Sequence, residues 1–489
     1  MKQVVAGLVA ALVVSGCSFA PEYHRPEQEL PSSWGEETSS GQETLSRQWW
    51  RRFQDETLNE LVDMALARNR DLEQSLARVE AARASLGMAR AGLFPQFSAQ
   101  GSGERSQSSR DASATYGVME ELGLLEQRVG ALEGRPGGTS SVPPRVGSLW
   151  SGTVQGSWEV DIWGRYRNAA SAAKENLLSA EEARRALELS VAGQVCSAYF
   201  DMLNYAAQKE LSENTLASRE RSAALYEKQY AAGAISELDM LNVRAQVDSL
   251  KDSLAQVKTG LEQAQGALLL LTGASPERIF SARPEGKARL EALSAQPQLP
   301  AGLPSELLNR RPDILSAEAA LRAAHFQVGE ARAAFFPSIS LTAGLGAAST
   351  ALNSLFTGPA GTWSYGGSAS LPLLTFGRTL SGVRQAEASL HAAQAAYEKA
   401  VQQAFSDIRS SLAAQRGMEE SVKSLVLVSA RMEKAAELAR ARYAAGYSPY
   451  LDVLEAERTL YSAQMNLAAR RASQLSAIAQ VCVALGGGW

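Results

Sequence analysis

The 489-residue chain reads as a mainly α-helical fold with a smaller β component, built from two copies of one unit. Three observations predict this. Residues 165–230 and 378–443 contain no proline and almost no glycine. As helices they would each run about 100 Å at about 1.5 Å of rise per residue, too long for any compact domain. Sequence segments recur at fixed offsets along the chain. Between the predicted helices lie two pairs of short alternating segments, each about as long as a membrane-crossing β-strand, which needs roughly 9–11 residues.

The N-terminus reads as a signal and not as structure. Lys2 supplies a positive start, and Val4 to Val14 is an apolar run too short to span a bilayer. Ser15 and Gly16 then precede Cys17, so that Val14-Ser15-Gly16-Cys17 resembles a bacterial lipobox with Cys17 as the lipidated first residue. Ser18 follows it and not Asp, which by analogy with lipoprotein sorting favours the outer over the inner membrane. Residues 1–16 are thus expected to be a signal peptide, and 17–56 a lipidated arm. The attached lipid, a diacylglycerol with an N-acyl chain, would hold the protein firmly at the membrane.

The repeat organises the rest. Leu66-Ala67-Arg68-Asn69-Arg70-Asp71-Leu72 matches Leu308-Asn309-Arg310-Arg311-Pro312-Asp313-Ile314, and Ala89 to Pro95 matches Ala331 to Pro337, both at an offset of 242. Trp163-Gly164-Arg165 matches Phe376-Gly377-Arg378, and Tyr230-Ala231-Ala232-Gly233 matches Tyr443-Ala444-Ala445-Gly446, at an offset of 213. The first copy therefore carries 29 more residues than the second, the difference of the two offsets, placed between Pro95 and Trp163. Each copy reads helix, β-hairpin, long helix, turn, helix. The first spans 57–273, with a hairpin at 96–162 and long helices over 165–273. The second spans 304–489, with a hairpin at 338–374 and long helices over 378–485. Residues 274–303 link them and are expected to form a belt with the N-terminal arm.

Helices over 57–93 and 304–335 end at Phe-Pro, a stop signal. In the first returning helix Val243, Val247, Leu250, Leu254, Val257, Leu261, Ala264, Leu268 and Leu271 alternate steps of four and three, the seam of a coiled coil. Its counterpart carries Ala456, Leu460, Ala463 and Leu467, then turns polar at Arg470 and Gln474. The strand segments are rich in Ser, Gly, Thr and aromatics; Ser338 to Ala343 alternates apolar with polar. Trp150, Trp158, Trp163, Trp363, Tyr365 and Phe376 sit near strand ends or within strands, as aromatic girdles do. Four strands cannot close a barrel, and lipid tolerates no open sheet edge. If these strands cross a membrane, the chain must oligomerise; three chains would supply twelve strands. The extra residues fall within a hairpin loop at about 104–148, where Glu120 to Leu132 is expected to form a short helix.

Composition narrows the function. Mean hydropathy of −0.17 argues against a helical membrane protein, and a formal charge of −4 argues against a nucleic-acid binder. Three histidines and three cysteines leave little for a metal site or a Cys/His nucleophile pair. No motif of hydrolases, zinc proteases, nucleotide-binding loops or redox pairs occurs, so an enzyme, a metal and a cofactor are all unexpected. Cys196 and Cys482 are expected to lie at similar heights above their turns, as free buried thiols or, alternatively, as a disulfide.

As a set, the lipobox, Asn309 to Ile314, Phe336-Pro337-Ser338-Ile339-Ser340-Leu341, Asp161-Ile162-Trp163-Gly164-Arg165-Tyr166, Tyr443 to Gly446 with Leu451-Asp452-Val453-Leu454, and the terminal Ala484-Leu485-Gly486-Gly487-Gly488-Trp489 resemble the TolC-like outer-membrane factors, in the OprM-type lipoprotein branch. The resemblance spans residues 17–489. It implies a homotrimer: a twelve-stranded β-barrel in the outer membrane, continued by a long α-helical coiled-coil barrel in the periplasm. It implies the exit duct of a tripartite multidrug efflux pump, with a periplasmic adaptor and an inner-membrane resistance-nodulation-division transporter as partners. The turns at Gly233 and Gly446 would form the periplasmic tips that meet the adaptor.

Carried over position by position, the resemblance also implies a gate at those tips. Asp452 and Glu455 occupy aperture-lining positions and Leu451 a constricting apolar one. Arg458, Asp239 and Tyr443 match a network that ties neighbouring helices shut. Ser448 departs from the pattern, since some members carry a basic residue there. Asp452 and Glu455 lie three apart on one helix face. Three copies would crowd six carboxylates around one opening, raising pKa values and attracting cations. The plainer alternative is a solvated helix face with an i,i+3 ion pair. Two other classes stay open: a duct for type I protein secretion, and a soluble periplasmic coiled-coil adaptor. An adaptor has one hairpin and no aromatic-bounded strand pairs.

Overall fold

The computed structural model describes residues 18–26, 47–107, 109, 114–134, 146–280, 286–293 and 307–487. The expected signal peptide and Cys17 lie outside the described residues, as do Trp489, parts of the loop at 104–148 and half of the linker at 274–303. After a 3-10 helix at Trp49–Phe53 the helices are α1 (Glu56–Arg68), α2 (Arg70–Ala91), α3 (Ala114–Glu133), α4 (Arg165–Ala231), α5 (Glu237–Thr272), α6 (Pro276–Phe280), α7 (Gly286–Leu293), α8 (Leu307–Arg310), α9 (Pro312–Ala333), α10 (Arg378–Ala444) and α11 (Tyr450–Ala484). The strands are β1 (Gln96–Gln107), β2 (Val146–Glu159), β3 (Ser338–Ser349) and β4 (Gly361–Ser370). Both α4 and α10 are 67 residues long. Each is followed two residues on by a glycine with positive φ, Gly233 and Gly446.

The chain divides into two compact units. The first, formed by residues 1–21, 86–171 and 326–387, holds one antiparallel sheet in the order β1-β2-β3-β4. Its register sorts the side chains by face. Phe97, Val154, Trp158, Leu345, Trp363 and Tyr365 share one face, because Val154 pairs with Leu345 and Leu345 with Trp363. Ser98, Gln155, Thr153, Ser340, Ser364 and Ser368 share the other. One face is therefore mainly apolar, with Arg105 and Gln107 on it only at the far end of β1, and the other is hydroxyl- and amide-rich. Every residue of β1 and β4 is exposed. Trp150 lays its indole across Gly103, where a Cβ would sit 2.5 Å from the ring, so this cross-strand pair needs glycine. At the helix-joined end, Trp163 and Phe336 stack at 4.8 Å between centroids, and the Trp163 Nε1–H donates to the Pro337 carbonyl at 2.7 Å. Phe19 stacks on Phe336 at 4.4 Å. The hairpin helix α3 runs from Ala114 to Glu133, longer than the expected 120–132, and it leaves its apolar side chains exposed.

The second unit, residues 22–85, 172–325 and 388–489, is helical. Its largest core packs Trp49, Phe53, Leu58, Phe200, Leu268 and Leu475. Cys196 and Cys482 are buried in it as free thiols. Of the nine seam positions on α5, seven are buried; Leu261 and Leu271 are half-buried. Gly260 lies beside that seam with the Tyr205 ring resting on it. Gln474, read as the polar end of the second seam, is buried as well.

The expected helices over 57–93 and 304–335 are each interrupted once. Asn69 takes an extended backbone, and its side-chain oxygen accepts from the N–H groups of Asp71 and Leu72, which caps α2. Its amide donates to the Leu271 carbonyl at 2.9 Å. At the matched position Arg311 precedes Pro312, a site where steric clash disfavours helix. The buried Arg311 guanidinium donates to Asp313, Asp407 and the Ala484 carbonyl. Each break is thereby tied to the last turn of a returning helix.

Candidate functional site

The two long helices end in the same way. At the end of α4 the Gly233 N–H donates to the Tyr230 carbonyl and the Ala234 N–H to the Gln229 carbonyl, each at 2.8 Å. At the end of α10 the Gly446 N–H donates to Tyr443 and the Tyr447 N–H to Arg442, at 2.8 and 2.9 Å. This double bond pattern requires a left-handed residue, and Gly233 and Gly446 supply it with φ of 76° and 77°. A side chain added at either glycine would meet open space, so the need for glycine is purely conformational.

The helices that follow start differently. α5 begins with a capping box: the Ser236 hydroxyl accepts from the Asp239 N–H, and the Asp239 carboxylate accepts from the Ser236 N–H and hydroxyl. α11 begins after Pro449, with no side-chain cap. Ser448, the departure from the family pattern, buries its hydroxyl oxygen without a hydrogen-bond partner.

All four helix ends meet in one small core. Tyr226, Met240, Val243 and Leu454 are buried together, with Ile235, Tyr443 and Tyr450 packed against them. Tyr226 stacks on Tyr450 at 4.2 Å, and its hydroxyl donates to the Tyr443 hydroxyl at 2.5 Å. Burial, that hydrogen bond and the nearby Asp239 charge push the Tyr226 phenol far above its ordinary pKa. Around this core run cross-hairpin ion pairs: Arg440 with Glu457 at 2.8 Å, and Arg244 with Glu227 at 3.1 Å. The buried Arg219 guanidinium donates to Gln246.

The expected gate residues are divided by this geometry. Tyr443 lies in the core. Leu451, Asp452 and Glu455 face solvent on the first turns of α11, with Leu451 57% exposed. Arg458 donates to Glu455 at 2.7 Å along the same helix, which holds the Glu455 carboxyl below its ordinary pKa. Crowding was expected to raise the carboxylate pKa values; within one chain, Arg458 lowers this one. Asp239 is held by Ser236 in its own cap, and these bonds tie down a helix start and not a neighbouring helix. Sequence reasoning passed over Tyr226, Tyr450 and the Arg440–Glu457 pair. The one signal available was the aromatic Tyr450 directly before Leu451.

No helix among the described residues is long and apolar enough to cross a membrane. Among them, no cluster of His, Cys, Asp and Glu could hold a metal ion.

The chain matches the family model described as "Outer membrane efflux protein" over residues 61–274 and 303–487. It is 33% identical over 496 residues to the antibiotic efflux pump outer membrane protein ArpC of Pseudomonas putida, covering 100% of this chain and 96% of that one. It is 32% identical over 487 residues to the cation efflux system protein CusC of Escherichia coli O6:H1, covering 98% and 97%. The open state of the MtrE outer membrane channel of Neisseria gonorrhoeae superposes with a TM-score of 0.80 at 29% identity, covering 96% of this chain and 98% of that one.

Proposed function

This chain belongs to the outer membrane efflux protein family and is the outer-membrane channel of an efflux pump, and we propose that it works as a homotrimer whose tip turns form the gated periplasmic entrance. The observation that carries the trimer is the sheet. One face is apolar, the other polar, and β1 and β4 each keep one edge without a strand partner among the described residues of the chain. Lipid accepts the apolar face but not the bare edges. Three copies pairing β4 to β1 remove the edges and close twelve strands around a polar lumen.

In this reading Asp452 and Glu455 ring the entrance, Leu451 narrows it, and Tyr443 with Arg458 and Asp239 holds the surrounding helix ends. The turns at Gly233 and Gly446 meet a periplasmic adaptor, which connects to an inner-membrane resistance-nodulation-division transporter. Relatives named for antibiotic and for cation export are about equally similar. We therefore assign cargo choice to the transporter, with multidrug efflux as the expected task.

Cys17, outside the described residues, carries the lipid. Its neighbours support this placement: Ser18 donates to Asn168 at 3.0 Å and Phe19 stacks on Phe336, beside the start of β3 at Ser338. An acyl chain one residue away would enter the bilayer at the barrel rim.

The test is single-channel current through purified protein in a planar bilayer. We expect a small cation-selective conductance that trivalent cations block. Asp452→Ala with Glu455→Ala should weaken both selectivity and block. A trimer whose selectivity and block are unchanged in that double variant would remove the gate from these residues.

A further inference from the structure

The sequence of α3 carries a pattern that the channel itself does not use. Val118, Leu122, Leu125, Val129 and Leu132 follow steps of four, three, four and three, a coiled-coil seam. All five are exposed, from 49% for Leu122 and Val129 to 88% for Leu132. The helix also contains Gly117, Gly123 and Gly130, which weaken it. A helix of 20 residues with three glycines and an uncovered apolar stripe is marginal alone in water.

We infer that the stripe is covered by the same stripe of the two other copies, so that three α3 helices form a parallel three-stranded coiled coil over the outer mouth of the barrel. This rests on the trimeric reading above.

Reach permits it. Twelve strands about 4.8 Å apart, tilted by about 40°, enclose a barrel roughly 12 Å in radius. Six residues, 108–113, separate Gln107 of β1 from Ala114 of α3. Extended, they reach about 20 Å, enough to bring each helix from its strand to the axis. The interface would be continuous with the barrel, whose closure already holds the three stripes at high local concentration. Trimeric stoichiometry then comes from the barrel. That matters, because Val and Leu are mixed at both seam positions, Val118, Leu125 and Leu132 at one and Leu122 and Val129 at the other, so the stripe does not by itself specify a number of strands.

Charge favours a second copy over a lipid surface. Helices that lie on membranes are rich in Lys and Arg on the polar face. Here that face carries Glu120, Glu121, Glu126 and Glu133 against the one Arg128. In a parallel arrangement Arg128 falls opposite Glu133 of the next copy, an attractive pair. Glu121 falls opposite Glu126, a repulsive one that keeps the bundle weak enough to part.

Disulfide trapping tests this in the full-length protein, in detergent and in proteoliposomes. Leu125→Cys lies in the seam, and Gln127→Cys lies on the outer face two residues on. Cys196 and Cys482 are buried and stay silent, with the unsubstituted protein as background. With copper phenanthroline as oxidant, we expect covalent dimers from Leu125→Cys at least 10-fold faster than from Gln127→Cys. Equal rates, or no dimers from either, in protein that is trimeric by native mass would overturn the coiled coil and leave the channel reading intact. Shielding of Leu125→Cys from a soluble maleimide only in proteoliposomes, without dimers, would assign the stripe to lipid and also overturn it. A monomeric mass for the unsubstituted protein would instead remove the trimeric premise.

Discussion

The Tyr226 hydroxyl donates to the Tyr443 hydroxyl, and so joins the last turns of two helices whose residues lie 217 positions apart in the chain. Tyr226 is 3% exposed, and its ring is pinned by Tyr450.

Replacing Tyr226 with Phe removes the donor and leaves the ring stack. We expect a loss of about 1 kcal/mol, the net worth of a typical hydrogen bond. Under the gate reading the readout is conductance: openings of the Tyr226→Phe channel should be more frequent or larger than wild type, with apparent melting temperature little changed. An unaltered current would separate this bond from gating.

The Glu455–Arg458 pair makes a charge prediction with a definite sign. Arg458 lowers the Glu455 pKa, so the carboxylate stays ionised to lower pH than an ordinary Glu near 4.3. Cation preference at the entrance should therefore persist as pH falls towards about 4. In Arg458→Ala it should be stronger at pH 7, because positive charge is gone, and should fade at a higher pH than in wild type. Reversal potentials under a salt gradient, measured from pH 4 to 8, decide this.

Asp55 concentrates stability far from the gate. Its side chain is fully buried, accepts from the Arg289 guanidinium at 2.8 and 2.9 Å, from the Tyr199 hydroxyl at 2.8 Å, and caps α1 through the Leu58 N–H. Burial alone would raise its pKa, but Arg289 and the other donors outweigh it and bring the value below normal. A depressed carboxyl contributes its stability above the unfolded value near 3.9, and loses it as pH drops through the folded one. Wild-type melting temperature should thus decline below about pH 4. Asp55→Ala should melt lower at pH 7, by an amount corresponding to about 3 kcal/mol, and lose less on acidification. Parallel pH profiles of the two would argue against the pair.

The thiols should be inert. Cys196 and Cys482 sit in the helical core, and burial pushes the Cys482 thiol up to about 12 and the Cys196 thiol well above its ordinary value. A thiol that stays protonated is a poor nucleophile. Native protein should show no reaction with an aromatic disulfide reagent at pH 8, and both residues should react after denaturation. Absence of both thiols in the denatured, unreduced protein would instead reveal a disulfide.

Much of the fold was legible because its signals are local and repeated. The alternation in Ser338 to Ala343 does mark a strand with one apolar face. The lack of proline over 165–230 and 378–443 does mark two long helices, and their left-handed ends fall at Gly233 and Gly446. The interruption at Arg311 was legible in Pro312 directly after it, and the one at Asn69 in a residue that prefers caps to helix interiors. The tip core was harder. Tyr226 is one tyrosine within a 67-residue helix, and only tertiary contact with Tyr443 and Tyr450 gives it a role. Asp239 showed the opposite problem. Its repeat match to Asp452 suggested a shared role, but local chemistry differs: Ser236 precedes it by three and makes a capping box, whereas Pro449 stands three before Asp452.

The two 67-residue helices also restrict how such a chain can change length. Removing one residue from α4 would rotate everything beyond it by about 100°, turning core side chains such as Phe200 and Leu203 out of register with the returning helix. Steps of seven, made together in α4 and α5, come close to preserving the seam. Height in the helical part can therefore be inherited only in matched packets, while the loop between β1 and β2, residues 108–145, is longer than that between β3 and β4, residues 350–360, with no such arithmetic. Two regions of one gene thus drift under different rules, one quantised and one free.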